Sequence, residues 1–191
     1  MSVTPLTTNQ DLDPQLLREA FGVFPSGVVA VAARVDGELT GLAASSFTSV
    51  SLDPPLVSFS VAATSKTWPT LRRSAHLGLT VLADHHGAVC RQLAGPVGHR
   101  FDDLAVTVTD DGAATLDDGL ARFDCTVHQE VEAGDHVVVL LALHAIEHGQ
   151  QGEAGSPLVF HRSGFTRIHD GRHDGSRDGR HDSTHDGRGV A

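Results

Sequence analysis

Apolar residues at helical spacing predict three short helices in this chain. The first begins at Asp13, where an aspartate precedes a proline, a pair that commonly starts a helix. The second has a serine as its cap and Pro69 in its first turn, and the third ends before Gly95. We therefore expect helices over residues 13–24, 65–73 and 84–94.

Short apolar runs, separated by turn residues, predict a larger number of strands. An Asp36-Gly37 pair between two such runs is typical of a β-hairpin. The run over 136–146 is almost continuously apolar, so we expect cover on both its faces, from a barrel wall or a subunit interface. The polar segment 98–119 is predicted to be mostly surface loop, with a short strand near 104–108. The other expected strands cover 27–35, 39–44, 46–51, 56–61, 76–83, 122–131, 136–146, 157–160 and 165–168.

The order of these elements predicts a mainly β protein with short helices. Regular alternation of strand and helix, which a doubly wound nucleotide-binding fold requires, does not occur. Many short strands with turn signals favour a closed or nearly closed antiparallel barrel. We expect a flexible N-terminus over 1–12, one domain over 13–168 and a disordered tail over 169–191.

The predicted tail consists of repeats of His, Asp, Gly and Arg. It has almost no apolar surface to offset the entropy of ordering a chain. Its histidines allow two interpretations, a metal-sequestering segment or a solvated, charge-balanced extension. Flexible spacing fixes no coordination geometry, which favours the solvated extension.

Composition and charge narrow the range of functions. With 191 residues, of which 40% are hydrophobic, the chain can bury one good core. A net charge of −10 without a basic cluster argues against a nucleic-acid partner. The sequence offers neither a bilayer-spanning apolar stretch nor a secretory signal, so we expect no membrane association and a cytoplasmic protein. Cys90 and Cys125 lack metal-ligand spacing and should be free thiols, and we expect no metal site.

A stretch of small and polar residues over 40–51 is the most unusual part of the sequence. Small residues let a flat ligand approach the backbone, and hydroxyls and amides can bind the edge of a planar heterocycle without adding charge. Taken alone, the stretch also fits a strand with solvent-facing serines. Downstream, a predicted helix start at Ser65, Lys66 and Thr67 would offer free amides, two hydroxyls and an ammonium to a phosphate, although an ordinary capping sequence has the same composition.

Several common catalytic motifs do not occur in the sequence. It contains no glycine-rich dinucleotide fingerprint, Walker loop, Gly-x-Ser-x-Gly elbow or His-Glu-x-x-His pair, which excludes most familiar hydrolases and kinases. His136 follows Gly-Asp at a predicted hairpin turn, where a lone histidine is usually structural.

Four motifs taken together resemble the flavin reductase family, whose members adopt the FMN-binding split barrel. They are FPSGV at 24–28, SSFTSVSLDPPLV at 45–57, SKTW at 65–68 and GDH at 134–136, while PLVFHRSGF at 157–165 fits the family's last strand. The resemblance covers roughly 16–168, and the serine-rich block followed by Asp-Pro-Pro-Leu is its most specific part. It implies a homodimeric split β-barrel with Greek-key-like connections.

The resemblance also implies the residues of a flavin site in a groove between the barrel and its neighbour. Those expected to face the isoalloxazine ring are Leu39, Thr40, Gly41, Leu42, Ala43, Ser45 and Ser46. Those expected to hold the ribityl phosphate are Ser60, Val61, Ala62, Ser65, Lys66 and Thr67. The nicotinamide side of the groove is assigned to His161, Arg162, Ser163 and Gly164, with His136 as the candidate catalytic residue.

The implied activity is that of an NAD(P)H:flavin oxidoreductase. It would reduce FMN or FAD by hydride transfer from NADH or NADPH and supply the reduced flavin to a partner monooxygenase or halogenase. Because the cofactors perform hydride transfer themselves, the protein need not supply an acid, a base or a metal. Two alternatives use the same barrel: a non-catalytic flavin or haem carrier, which would show no turnover, and a relative of pyridoxamine phosphate oxidase, which would need a basic phosphate cluster.

Overall fold

Antiparallel strand pairing organises the described part of this computed structural model, which comprises residues 12–149 and 155–168. Its strands are β1 Ser26–Gly27, β2 Val29–Val35, β3 Glu38–Ala44, β4 Thr48–Leu52, β5 Pro55–Ala62, β6 Leu77–Val81, β7 Val106–Val108, β8 Ala114–Leu116, β9 Ala121–Ala133, β10 His136–His148, β11 Leu158–His161 and β12 Gly164–Arg167. Its α-helices are α1 Pro14–Phe21, α2 Trp68–Leu71 and α3 Gly87–Leu93. The mainly β fold with short helices is confirmed.

One seven-stranded sheet forms the barrel wall, in the order β3-β2-β6-β9-β10-β5-β4. It curls until the end of β3 reaches β5, where a side chain joins them. The Ser46 hydroxyl donates to the carbonyl oxygen of Ser60 at 3.1 Å and accepts from the Ser60 amide at 2.8 Å. The barrel is therefore nearly closed, and one serine bridges the gap between β3 and β5.

The hydrophobic core lies on both faces of β2. Val29 and Val31 face the barrel interior, where they pack with Phe59, Leu79 and Val139. The opposite face of β2 meets a second apolar cluster, to which α3 and β11 contribute. That cluster contains Val28, Ala30, Leu82, Leu93, Leu116 and Leu158. Because β2 is covered on both sides, the small-residue strand β3 beside it is held in a fixed position.

Two predicted helices are shorter than expected. The first ends at Phe21, because the amides of Val23 and Phe24 turn back onto carbonyl groups three residues earlier. The second begins only at Trp68, because Pro69 has no amide hydrogen to donate to the Ser65 carbonyl oxygen. The Ser65 hydroxyl accepts from the amides of Thr67 and Trp68 and so caps the turn that leads into the helix.

Two strand predictions were also incomplete. The predicted strand 27–35 is divided: β1 pairs with β11, outside the barrel sheet, and β2 starts at Val29. The predicted loop 98–119 contains the hairpin of β7 and β8, which reaches β2 through a bridge between Ala33 and Ala113. These pairings join segments far apart in the sequence, and hydrophobic periodicity carries no information about them.

Strand β10 is only partly covered within one chain. Val139 and Leu141 are buried in the barrel, but Ile146, near the end of the strand, is 58% exposed. The expected cover on both faces is therefore absent at this end of β10 in the single described chain.

None of the helices in 12–149 or 155–168 has the length and apolar character needed to cross a bilayer. The tail predicted over 169–191, and all of the predicted N-terminal segment except Leu12, lie outside the described residues.

Candidate functional site

A cleft of about 430 Å³ opens between β3, β5 and the C-terminal end of α3. The predicted site residues that line it are Leu42, Ala43, Ser45, Ser46, Ser60, Val61, Ala62, Ser65, Thr67 and His136. The cleft is completed by Ala44, Thr64, Leu93, Ala94 and Arg100. Folding thus brings together residues from five distant parts of the sequence.

Most of the cleft wall is small, apolar and uncharged. Leu42 and Ala43 of β3 are half-buried, and Val61 and Leu93 are buried across from them. Behind this wall, a Cβ atom added at Gly41 would lie 2.6 Å from the Phe101 ring and 2.8 Å from a backbone oxygen of β2. Only glycine allows this close packing, so Gly41 supports the wall from behind.

Ser45 and Ser46 differ in what their hydroxyl groups do. The Ser46 hydroxyl is engaged with the backbone of Ser60 and so serves barrel closure. Ser45 is exposed at the cleft. The amides of Ser45 and Ser46 have no acceptor within the described part of the chain, so both can donate to a ligand.

The segment Ser65 to Thr67 presents hydroxyl groups to the cleft, but not the free helix-start amides that its sequence suggests. The Ser65 hydroxyl accepts from the amides of Thr67 and Trp68 at 3.3 and 3.2 Å. Thr67 is buried, whereas Lys66 is exposed and does not line the cleft.

Arg100 lines the cleft and was missed by the sequence analysis. Its guanidinium group reaches Thr67 from the segment 98–119, which the sequence predicts to be mostly loop. A single arginine in a polar segment carries no sequence signal, because two of its three partners, Gly41 and Thr67, lie more than thirty residues away. Its role becomes visible only from the fold.

His136 lies exposed at the mouth of the cleft. Its Nδ1 atom is 2.7 Å from a carboxylate oxygen of Asp135. The hydrogen bond from His136, together with the charge of the protonated ring, lowers the pKa of the Asp135 carboxyl. This contact favours the proton on Nδ1, so Nε2 is the ring nitrogen left to face a ligand.

A second cleft, of about 750 Å³, adjoins the first and shares Ser45 and Ser46 with it. Its wall includes the exposed rings of Phe21 and Phe24, together with Ser163 from the turn between β11 and β12. Two ligands could therefore meet at the paired serines.

The turn between β11 and β12 has an unusual backbone. Arg162 and Ser163 adopt φ angles of 48° and 62°, in the left-handed region that favours glycine or asparagine. The Arg162 amide donates to the Gly22 carbonyl oxygen at 2.8 Å, which fixes the turn against the end of α1. A strained backbone conformation persists only where surrounding contacts hold it in place, and such residues are often found at functional sites.

Eight predicted site residues do not line the first cleft. Of these, Ser163 lines the second cleft. Thr40 and Gly41 are buried within β3, and Lys66 is exposed outside the cleft. The other residues outside the first cleft are Leu39, His161, Arg162 and Gly164; of these, Arg162 lies beside Ser163 in a smaller cavity with Arg18.

His85, His86 and Asp118 are the one group of three close metal-ligand candidates among the described residues. His86 is buried, and its Nδ1 accepts the Ala83 amide at 2.9 Å, so a neutral ring carries its proton on Nε2, 3.0 Å from Asp118. Metal-bound histidines instead donate from the second nitrogen. Burial would raise the pKa of Asp118, but hydrogen bonds and charge from His86, with a hydrogen bond from His85, lower it. This chemistry fits a structural contact better than a metal site.

Comparison with known proteins gives consistent matches. The family model described as flavin reductase like domain matches residues 21–169. A flavin reductase of Pseudomonas putida is 37% identical over 155 residues, which are 81% of this chain and 89% of that protein. FMN reductase (NADH) SmoA of Agrobacterium fabrum is 33% identical over 151 residues, 79% of this chain and 84% of that protein. Three other curated relatives are longer, and the chain spans 45%, 56% and 40% of their lengths.

Solved structures match over most of the chain. A homologue of nitrilotriacetate monooxygenase component B from Mycobacterium thermoresistibile has a TM-score of 0.77 at 30% identity, covering 81% of this chain and 86% of that one. NADH:FAD oxidoreductase SgcE6 of Streptomyces globisporus, in complex with NAD and FAD fragments, has a TM-score of 0.78 at 28% identity, covering 88% and 99%. BorF, the reductase component of a bacterial two-component tryptophan halogenase, has a TM-score of 0.74 at 29% identity, covering 83% and 99%.

Proposed function

The chain belongs to the flavin reductase-like domain family, and from this premise we propose that it transfers hydride from a reduced nicotinamide nucleotide to a flavin in the cleft beside β3. It is an oxidoreductase of the NAD(P)H-dependent flavin reductase class. The relatives with this activity match it over most of their length as well as most of its own.

The observation that carries the proposal is the combination of two kinds of residue in the cleft lining. Small uncharged residues such as Ala43 and Leu93 occur there together with the hydroxyl groups of Ser65 and Thr67. A flavin also combines two kinds of group, because a flat tricyclic ring is joined through a ribityl chain to a phosphate. The ring fits the small uncharged residues and the phosphate fits the hydroxyl groups.

A bound flavin supplies the hydride-accepting ring, so the protein must orient the reactants, exclude water and stabilise charge. Reduction places negative charge on the pyrimidine edge of the ring. The unpaired amides of Ser45 and Ser46 are suited to donate to that edge. If both amide hydrogens were lost and the barrel stayed folded, the rate of flavin reduction should fall by a larger factor than the affinity for the flavin.

The nicotinamide is proposed to enter from the second cleft, which meets the first at Ser45 and Ser46. His136 lies at the mouth, where Asp135 orients its ring. Of the residues assigned to the nicotinamide, Ser163 is on the wall of this second cleft. His136 would then position the nicotinamide, and hydride transfer itself needs no acid or base from it.

The comparisons support a choice of cofactors and a partner. One relative is named as an NADH-dependent FMN reductase and one neighbour as an NADH:FAD oxidoreductase, so NADH with FMN or FAD is the proposed pairing. Other neighbours are components of a monooxygenase and of a halogenase. Reduced flavin is therefore proposed to pass to a separate oxygenase or halogenase.

A homodimer is also proposed, because apolar residues stay exposed on the outer part of the barrel. Val127, Val131 and Ile146 of β9 and β10 are exposed in the single chain. A second copy of the chain would cover them and complete the burial that the sequence of β10 predicts.

Steady-state oxidation of nicotinamide tests the proposed activity. The full chain is mixed with NADH or NADPH and with FMN, FAD or riboflavin, and absorbance is followed in air. Many turnovers with at least one pair are expected. The Arg73→Gln variant serves as a control, since Arg73 pairs with Asp36 at the opposite end of β3 from the cleft. Stoichiometric consumption or none, with every pair, would contradict the proposal and favour a carrier.

A further inference from the structure

The carboxylate of Glu130, in β9, uses both of its oxygens to hold the short helix α2. Its Oε1 accepts a hydrogen bond from the indole Nε1 of Trp68 at 2.6 Å, and its Oε2 lies 2.7 Å from Nη2 of Arg72. The Glu130 side chain is only 20% exposed. A hydrogen bond to a shielded carboxylate is stronger than one to a neutral acceptor, so Glu130 joins β9 firmly to a helix 62 residues earlier in the chain.

Helix α2 depends on contacts of this kind for its position. It has four residues, and a helix of this length is not stable by itself. The Trp68 ring is buried in the barrel core, where it meets Phe59 edge-on with 5.5 Å between the ring centroids. Apolar burial is not directional, whereas a hydrogen bond is, so the bond to Glu130 fixes the orientation of the indole.

Trp68 directly follows a segment that lines the cleft. Ser65 and Thr67 are part of the cleft lining, and the Ser65 hydroxyl accepts from the Trp68 amide at 3.2 Å. A displacement of Trp68 would therefore displace these two side chains. The opposite part of the lining, on β3, is held separately by its pairing with β2.

The hairpin of β9 and β10 is the fixed side of this link. It carries His136 at the cleft mouth, and pairing of β10 with β5 holds it in place. The Ala63 amide also donates to the Asp135 carbonyl oxygen at 2.9 Å. The hairpin therefore keeps its position without Glu130, and α2 with the segment before it is the side that Glu130 positions.

We propose that Glu130 is a positioning residue for flavin binding, which acts through the indole of Trp68 to hold Ser65 and Thr67 in place. This inference rests on the proposed function, because it assumes that a flavin occupies the cleft. Glu130 itself is outside the lining of both clefts, so its effect passes through Trp68 and not through ligand contact. Its loss should weaken flavin binding and spare the nicotinamide, which is proposed to enter from the second cleft.

Flavin affinity and nicotinamide kinetics of full-length variants test the proposal. Dissociation constants for FMN and FAD come from flavin fluorescence, and kcat and KM for NADH come from nicotinamide oxidation at saturating flavin. Glu130→Met keeps the side-chain size but removes the acceptor. It should weaken flavin binding by about 5- to 20-fold and leave kcat and KM for NADH within about twofold of the wild type.

Three further variants separate the indole bond from the ion pair. Glu130→Gln keeps an acceptor for the indole and should recover most of the flavin affinity. Arg72→Gln alters only the half-exposed ion pair and should change flavin affinity by less than about twofold. Arg73→Gln, whose partner is Asp36, should bind flavin like the wild type.

A double-mutant cycle with Trp68→Phe shows whether Glu130 acts through the indole. Trp68→Phe keeps a buried ring but removes the N–H, so it should weaken flavin binding about as much as Glu130→Met. The double variant should resemble either single variant, because both changes break the same hydrogen bond. If circular dichroism shows that Glu130→Met is unfolded, Trp68→Phe and Glu130→Gln decide the question.

Four results would overturn the proposal. They are wild-type flavin affinity in both Glu130→Met and Trp68→Phe, additive losses in the double variant, a Glu130→Gln variant as weak as Glu130→Met, and an equal loss of flavin affinity and NADH kinetics. Each leaves the proposed function standing, provided that the wild type oxidises NADH with a flavin. A wild type that shows no turnover with any flavin would overturn the proposed function, and the positioning role with it.

Discussion

At the scale of single residues, side chains near the cleft combine ligand contact with support of the barrel. Ser46 lines the cleft, yet its hydroxyl group makes both of its hydrogen bonds to the backbone of Ser60. Ser45, one residue earlier, makes no side-chain hydrogen bond among the described residues and is exposed. Neighbouring serines in one motif therefore have different tasks.

This difference predicts the stability of two matched variants. Ser46→Ala removes both bonds and leaves the Ser60 amide unpaired, so the free energy of unfolding should fall by about 1 kcal/mol. Ser45→Ala should change it by less than about 0.5 kcal/mol. Urea denaturation of the two variants measures both values. Equal stability of the two would show that the hydroxyl of Ser46 does not hold β3 to β5.

The two cysteines should differ in reactivity. Burial, with the nearby charge of Asp124, raises the pKa of the Cys125 thiol to about 12. Burial also raises the pKa of Cys90, but the charge of Arg91 opposes this effect and the side chain is only half-buried. At about pH 8 a thiol reagent should modify Cys90 slowly in the native protein and Cys125 only after unfolding. Rapid native labelling of Cys125 would contradict the described barrel core.

At the scale of elements, two hairpin turns have similar positive φ angles but very different residues. The turn between β2 and β3 uses Asp36 and Gly37 at φ angles of 53° and 88°, which is the usual choice for such a turn. The turn between β11 and β12 puts Arg162 and Ser163 in the same region of backbone space. The first turn is predictable from its Asp-Gly pair, whose residue types match the backbone geometry, whereas Arg and Ser give no such signal for the second turn.

Relief of strain at the second turn gives an element-scale prediction. Ser163→Gly should raise the free energy of unfolding by about 1 kcal/mol, because glycine adopts positive φ without steric cost. The opposite change at the first turn, Gly37→Ser, should lower it by a similar amount. Urea denaturation compares both variants with the wild type. A destabilised Ser163→Gly variant would mean that the serine side chain makes a contact more important than the strain.

At the scale of the whole molecule, hydrophobic periodicity predicted most strands and the mainly β class, because strands such as β5 and β6 place apolar side chains in the core. Its limits are equally physical. The pairing of β1 with β11 and the packing of the β7–β8 hairpin on β2 depend on contacts across the fold. The position of Arg100 in the cleft could not be predicted for the same reason, because its three acceptors lie on three segments. The serine-rich motif predicted residues that line the cleft, whereas the charged side chain of Arg100 was found only from the structure.

The proposed homodimer gives a prediction at this scale. Light scattering should report a mass twice the 20.1 kDa of the chain. Ile146→Asp puts a charge on the exposed apolar end of β10 and should shift the protein towards the monomer. Val97→Asp, at an exposed position outside the barrel strands, is the matched control and should stay dimeric. A wild type that is monomeric at all concentrations would contradict the dimer.

A crystal structure of the full chain with FMN bound tests the central claim most directly. The isoalloxazine ring should lie along the wall formed by Leu42 and Ala43, with its pyrimidine edge at the amides of Ser45 and Ser46 and its phosphate near Thr67. Electron density for the ring outside this cleft, or a phosphate directed away from Thr67, would contradict the account of how this protein holds its flavin.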